Sequence, residues 1–178
     1  MKEEVKELLL STKREGMEKL VGALDKVNFF EMPASTKFHG NYEGGLIEHS
    51  LSVYKLFKEM IEKFKLELKE DSIIICSILH DVCKANQYIR NGKSWGWNAS
   101  NPKGHAKLSL SRIKQFIKLN DEEEQIIKYH MGFYGISAFS DKGEYTLMEM
   151  VNAYNINKLA KLFYFCDDMS SQFLEEKR

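Results

Sequence analysis

The sequence predicts an all-α fold, and three observations carry that prediction. Apolar residues recur at helical spacing, most clearly from Leu46 to about Leu66, with Leu46, Val53, Leu56, Phe57, Met60, Ile61 and Phe64. The two prolines, Pro33 and Pro102, lie between periodic segments and punctuate rather than kink them. Asn120-Asp121 followed by Glu123-Glu124 is a helix start signal, a capping residue with acidic residues in the first turn.

The elements follow in order. Lys2 to about Asn28 has a helical pattern with balanced charge. Phe29 to Gly45 reads as a loop closed by Gly44-Gly45, and the helix from Leu46 follows. Asp71-Ser72 can cap the next helix, which runs to about Lys84. Its run of Ile73, Ile74 and Ile75 also suits a strand, but the long helices on both sides argue against one. Ala85 to Lys103 is loop-like, with Gly92, Gly96 and Pro102, and Gly104 to Leu119 is helical. The helix opened by Asn120 runs to about His130, and Gly132 to Gly143 is a loop. Helices at about Thr146–Tyr154 and Asn157–Glu175 close the chain. At 178 residues, with no internal repeat or low-complexity linker, the chain suits one domain over 1–178, with 1–13 as a helical extension.

Charge and cysteines exclude some classes. Lys+Arg and Asp+Glu both total 26, so net charge gives no argument for a nucleic-acid or membrane partner. Cys76, Cys83 and Cys166 form no CxxC, which fits reduced thiols in a cytoplasmic protein. The N-terminal residues alternate charge, unlike a signal peptide, and no apolar run approaches the roughly 18 residues of a membrane span. The expectation is a soluble cytoplasmic protein without a membrane partner.

The dipeptide His80-Asp81 ends the apolar run from Ile73 to Leu79. An unpaired charge facing a core is costly, and a divalent ion that activates water is a reason to place His and Asp there. The histidines are His39, His49, His80, His105 and His130. Four of the five, with Asp81 and a late aspartate at Asp167-Asp168, are spaced like one metal site assembled from several helices. His49 shares the inward stripe of Leu46, Val53 and Leu56. His105 opens one helix and His130 closes another, at element ends where sites are commonly built. Asp167 shares an apolar stripe with Ile156, Ala160, Phe163, Ser170 and Leu174. Asp168 lies with Lys161, Tyr164, Gln172 and Glu175, so Asp167 is the inward candidate and Asp168 the alternative. Any one of these histidines alone reads better as a hydrogen-bonded core or solvated residue. The joint set points to metal.

The order His49, His80-Asp81, Asp167 resembles the HD-domain superfamily of metal-dependent phosphohydrolases. Small bacterial and phage HD hydrolases are similar in further stretches: Pro33 to Gly40, Tyr42 to Leu51, Leu79 to Lys84, Gly104-His105-Ala106, and Tyr129-His130-Met131-Gly132. The resemblance covers roughly Arg14 to Glu175. It implies a single all-α HD-domain bundle with a metal site between helices. His49, His80, Asp81 and Asp167 would surround one ion; where a second is present, His105 and His130 bind it and Asp81 bridges. One or two divalent ions are expected, of Mn, Mg, Fe, Ni, Co or Zn. The resemblance also places His39 near the site entrance, as a substrate contact or acid. Cys83 departs from the glycine that many members carry, and the missing Gly-Tyr-Pro segment argues against the cyclic-dinucleotide branch.

The catalytic candidates are therefore Asp81, Lys84 and His39. Lys84 follows His80 by one turn and can meet a substrate phosphate; otherwise it is a solvated lysine favoured by the helix dipole. From Val82 through Asn120 the chain has Lys84, Arg90, Lys93, Lys103, Lys107, Arg112, Lys114 and Lys118 but no acid, interleaved with Tyr88, Trp95 and Trp97. Lys84, Arg90, Lys103 and Trp97 are the substrate-binding candidates, since aromatic faces stack a base while cations hold phosphates. A plainer role for the tryptophans is to pack this loop onto the core. The expected function is hydrolysis of a nucleotide or short oligonucleotide phosphate ester by metal-activated water. The expected partner is a small phosphorylated substrate, with nucleic acid a second option and the oligomeric state open. The competing readings are a 3′→5′ exonuclease-like HD nuclease, a di-iron HD oxygenase, and a non-catalytic metal-bound sensor domain.

Overall fold

The computed structural model describes residues 1–36, 38–92, 94–100, 102, 104–139 and 143–175. Among them, the helices are α1 (Lys2–Ser11), α2 (Met17–Lys26), α3 (Gly45–Phe64), α4 (Glu70–Leu79), α5 (Ala106–Ile113), α6 (Asp121–Tyr129), α7 (Leu147–Ile156) and α8 (Lys158–Met169). Strands β1 (Tyr88–Asn91) and β2 (Ser94–Trp97) pair antiparallel between α4 and α5. The protein is mostly helical, as expected, with this hairpin as the departure.

The core is built on α3 and α4. On α3, Leu46, Val53 and Phe57 are fully buried, and the Phe57 ring meets Phe163 of α8 edge-on at 4.9 Å. Such a pair stabilises by about 1 kcal/mol beyond the area it buries. On α4 every residue from Ser72 to Leu79 is buried. A helix apolar all round belongs in an interior, which resolves the helix-or-strand ambiguity of its isoleucines.

Five expectations need correction. The N-terminal helical stretch is two helices, broken where Lys13 takes φ +51° and Gly16 φ +86°. A Cβ on Gly16 would lie 1.9 Å from the Phe116 carbonyl oxygen, so this turn also needs the missing side chain to pack. The helix expected to reach Lys84 ends at Leu79, with His80 as its C-cap and a 3₁₀ turn over Val82–Lys84. Ala85 to Lys103 is not all loop: Tyr88 faces Trp97 and Asn91 faces Ser94 across the hairpin. Gly92, next to the paired Asn91, supplies φ +63° at the turn. Finally, α5 stops at Ile113 rather than Leu119, and α8 passes at Ser170–Leu174 into a wider π turn.

The start of α6 matches its sequence signal. Asn120 accepts from the Glu123 N–H while Glu123 accepts from the Asn120 N–H, a complete capping box. Glu123 does more than cap. It is fully buried and accepts from Arg14 Nη1 (3.1 Å), Arg14 Nη2 (2.8 Å) and the Ser72 hydroxyl (2.7 Å). Arg14 also donates to Asp71 (2.6 Å), so one guanidinium ties the α1–α2 turn to α4 and α6. Glu123 and Asp71 raise the Arg14 pKa further, against its partial burial. Arg14→Ala leaves the Glu123 carboxylate buried without its cation, which costs about 3 kcal/mol. Urea unfolding should show a lower midpoint with an unchanged slope.

Candidate metal centre

Each candidate ligand reaches the centre from a different element. His49 lies on the second turn of α3, whose start is packed against the preceding loop. A Cβ on Gly45 would lie 2.1 Å from the Gly40 carbonyl oxygen, so the loop lies directly on the helix start. That closeness brings the His39 ring to 5.0 Å from His49. His80 caps α4, and Asp81 leaves the helix at φ −103° and ψ 17°. His105 is the N-cap residue of α5, His130 the C-cap of α6, and Asp167 lies in α8.

The structure brings these six side chains together. His49 Nε2 is 3.0 Å from Asp167 Oδ1 and 4.0 Å from Asp81 Oδ2. His80 Nε2 is 3.5 Å from Asp81 Oδ2 and 3.8 Å from Asp167 Oδ1. On the other oxygen, Asp81 Oδ1 is 2.9 Å from His105 Nε2 and 3.6 Å from His130 Nε2. Donor atoms of His49, His80 and Asp81 lie within 4.8 Å of one another, and so do those of Asp81, His105 and His130. Asp81 belongs to both groups. Asp167, not Asp168, is the aspartate at the centre.

The imidazoles share one orientation. Nδ1 of His80 donates to the Ser77 carbonyl (2.8 Å), and Nδ1 of His130 to the Ile127 carbonyl (2.6 Å). Nδ1 of His49 meets Glu175 Oε1 (2.6 Å), and Nδ1 of His105 meets Cys83 Sγ (3.2 Å). With every Nδ1 engaged, Nε2 is the atom each ring turns inward. His80 Nε2 and His130 Nε2 are buried and make no hydrogen bond. Such orphaned atoms are costly, and one divalent ion with nitrogen and oxygen ligands satisfies several at once. The cluster can hold a divalent metal.

Charge is balanced around the carboxylates. Burial alone would raise the Asp81 pKa, but Lys84, His80 and His105 hold it well below the usual carboxylate range. Asp167 is likewise lowered by His49 and His80 against the same penalty. Burial opposes protonation of His49, yet Asp167 and Glu175 outweigh it and raise the ring to about 10. His105 is raised to about 10 by Cys83 and Asp81 against burial. His80 is pushed down to about 4 by burial, and His39 to about 4 by burial with His49 and Lys84 nearby.

Other candidates fall in different places. Lys84 is not a solvated lysine: its ammonium is mostly buried and lies 2.5 Å from Asp81 Oδ2. Arg90 pairs with Glu43 and lies over the Trp95 ring. Trp97, on β2, is 44% exposed and meets Tyr88 edge-on. Lys103 lies outside the described residues. Among the described residues, acids elsewhere in the chain meet two cations of the acid-free basic segment. Lys114 pairs with Glu124 as Arg90 does with Glu43. Arg112 turns inward, with Nη1 2.9 Å from each of the Val82, Cys83 and Ala85 carbonyls.

Sequence reasoning missed the supports. Arg112 donates to carbonyls of the turn that follows α4, and Ser109 accepts from the Cys83 N–H (3.1 Å). Glu144 accepts from the backbone N–H groups of His105 (2.6 Å) and Lys107 (2.7 Å), capping α5 from a distant loop. Glu175, placed by helical spacing beside Asp168, instead reaches His49. The spacing of Ser109 and Arg112, four and seven residues after His105, was the one available signal.

These charges make metal uptake pH-dependent. His49 and His105 are protonated at pH 7, whereas an ion takes the neutral ring. Uptake should therefore release about two protons and tighten as pH rises towards 10, as calorimetry in two buffers of different ionisation enthalpy would read. Without metal, each raised ring stabilises the fold fully below its unfolded pKa of 6.5 and loses that contribution as pH climbs to about 10.

Comparison with known proteins agrees with this geometry. The HD domain family matches residues 46–171. A dihydroneopterin 2′,3′-cyclic phosphate phosphodiesterase of Methanocaldococcus jannaschii is 45% identical over 64 residues, 34% of this chain and 26% of that protein. The match thus spans about a quarter of the relative's length. No solved structure matches the chain. The family match covers most of the sequence and contains His49, His80, Asp81, His105, His130 and Asp167, and the chain belongs to the HD domain family.

Proposed function

We propose that this chain is a metal-dependent phosphohydrolase that cleaves a phosphate ester on a small nucleotide-like substrate. The observation that carries the reading is the pair of buried donor groups sharing Asp81, with the Lys84 ammonium beside them. His49, His80 and Asp167 would hold one ion, His105 and His130 a second, and Asp81 both. Bound there, divalent ions supply water with its pKa lowered from 15.7 to about 7 and polarise a phosphoryl oxygen. Hydrolysis then breaks one P–O bond, with hydroxide joining phosphorus and a proton passing to the leaving oxygen.

The remaining roles fall to side chains around the centre. Asp81 keeps Lys84 charged despite burial, as a cation for a phosphate oxygen. His39 is neutral at physiological pH, so it enters as a hydrogen-bond partner rather than as a charged acid. Trp97 on the hairpin, exposed on β2, offers a flat surface for a heterocycle. The Methanocaldococcus relative is named for a cyclic phosphodiester attached to a pterin. A nucleoside 2′,3′-cyclic phosphate carries the same two features, so both belong in the substrate panel.

The test is hydrolysis of bis-p-nitrophenyl phosphate, nucleoside 2′,3′-cyclic phosphates and a pterin cyclic phosphate with Mn²⁺, Mg²⁺, Co²⁺, Ni²⁺, Fe²⁺ or Zn²⁺. Wild type should bind metal and cleave at least one ester; the double variant His80→Ala/Asp81→Ala should do neither. Lys84→Ala should keep its metal and lose about 100-fold in kcat/KM. Unchanged kinetics would remove Lys84 from the site. A wild type that takes up no ion would sink the whole reading.

A further inference from the structure

The π turn after α8 carries a carboxylate back to the centre from outside the family match. That match ends at residue 171, and Glu175 lies four residues beyond it. Its side chain is 3% exposed, with Oε1 2.6 Å from His49 Nδ1. His80 and His130 lean on main-chain carbonyls of their own helices, which no substitution removes. His49 leans on a carboxylate that a single substitution would delete.

The chemistry of that contact favours a role toward the metal. A carboxylate behind a ligating imidazole fixes the ring's orientation and raises its basicity. Hydrogen bonds to an ionised acceptor are roughly twice as strong as neutral ones. His49 is held at both nitrogens by one stretch of chain: Nε2 by Asp167 of α8, Nδ1 by Glu175. The second Glu175 oxygen is buried without a hydrogen-bond partner among the described residues, so the carboxylate's hydrogen bonding there rests on His49.

We infer that Glu175 is a positioning residue for metal binding, which aims His49 Nε2 into the centre and makes metal affinity depend on the C-terminal segment. The inference rests on His49 as a ligand.

The experiment is a Co²⁺ titration of the full-length protein, followed by visible absorption and calorimetry, for wild type, Glu175→Ala and Glu175→Gln. Glu175→Ala should weaken one binding step about 10–100-fold and change the Co²⁺ absorption bands, because the His49 ligand is re-aimed. Glu175→Gln keeps an oxygen acceptor without the charge and should fall between. A merely structural role would lower the melting temperature but leave affinity and bands unchanged, and that result overturns the inference. Should Glu175→Ala not fold, Glu175→Gln carries the same comparison. A wild type that binds no Co²⁺ defeats the metal reading of His49 itself, whereas wild-type binding with unaltered variants defeats only Glu175.

Discussion

Two neighbouring carboxylates organise this molecule. Asp81 is buried and Asp167 is half-buried beside it, and leaving the Asp81 charge unpaired there would cost several kcal/mol. Every neighbouring element answers that cost. α3 brings His49, the end of α4 brings His80 and Lys84, the start of α5 brings His105, and the end of α6 brings His130. The same arrangement that neutralises the carboxylates produces a ring of inward nitrogens. The groups that meet the electrostatic requirement of folding are the same groups that could hold a metal.

Irregular backbone at the centre is held by regular structure behind it. Asp81 can face both donor groups because α4 stops at Leu79 and the chain turns. A single stripe of α5 holds the turn that follows: Ser109 accepts from the Cys83 N–H, and Arg112 donates to the Val82, Cys83 and Ala85 carbonyls. The helix that supplies His105 also clamps the turn that carries Asp81. On the far side, Arg14 and Glu123 lock the N-terminal helices to α4 and α6, so both helices that end in histidines are anchored at their other ends.

The sequence was most legible where one physical rule acted alone. Helical spacing located α3 and placed Asp167 inward; the Asn120–Glu123 pair marked the start of α6 because both partners of a capping box are local. It was least legible where distant residues decide the outcome. The acid-free basic segment suggested a phosphate face, but Glu43 and Glu124 lie elsewhere in the chain and pair with Arg90 and Lys114. The hairpin went unread because Gly92 and Gly96 suit a loop equally well, and only cross-strand pairing tells the two apart. Glu175 was hidden for a different reason: ideal helical geometry assigns it the wrong face.

That last point has a consequence for how this chain can vary. A π turn holds one residue more than the α turn it replaces, so it shifts the phase of everything that follows. Ser170–Leu174 is the phase shift that carries Glu175 from the Asp168 side of the helix to His49. Winding and residue number are thereby linked in this segment. Point changes at its exposed residues, such as Phe173, leave the phase intact. Loss of one residue with a return to ordinary winding would leave the carboxylate on the His49 side, because the two changes cancel. Ordinary winding of the unshortened segment is what would turn it about 100° away.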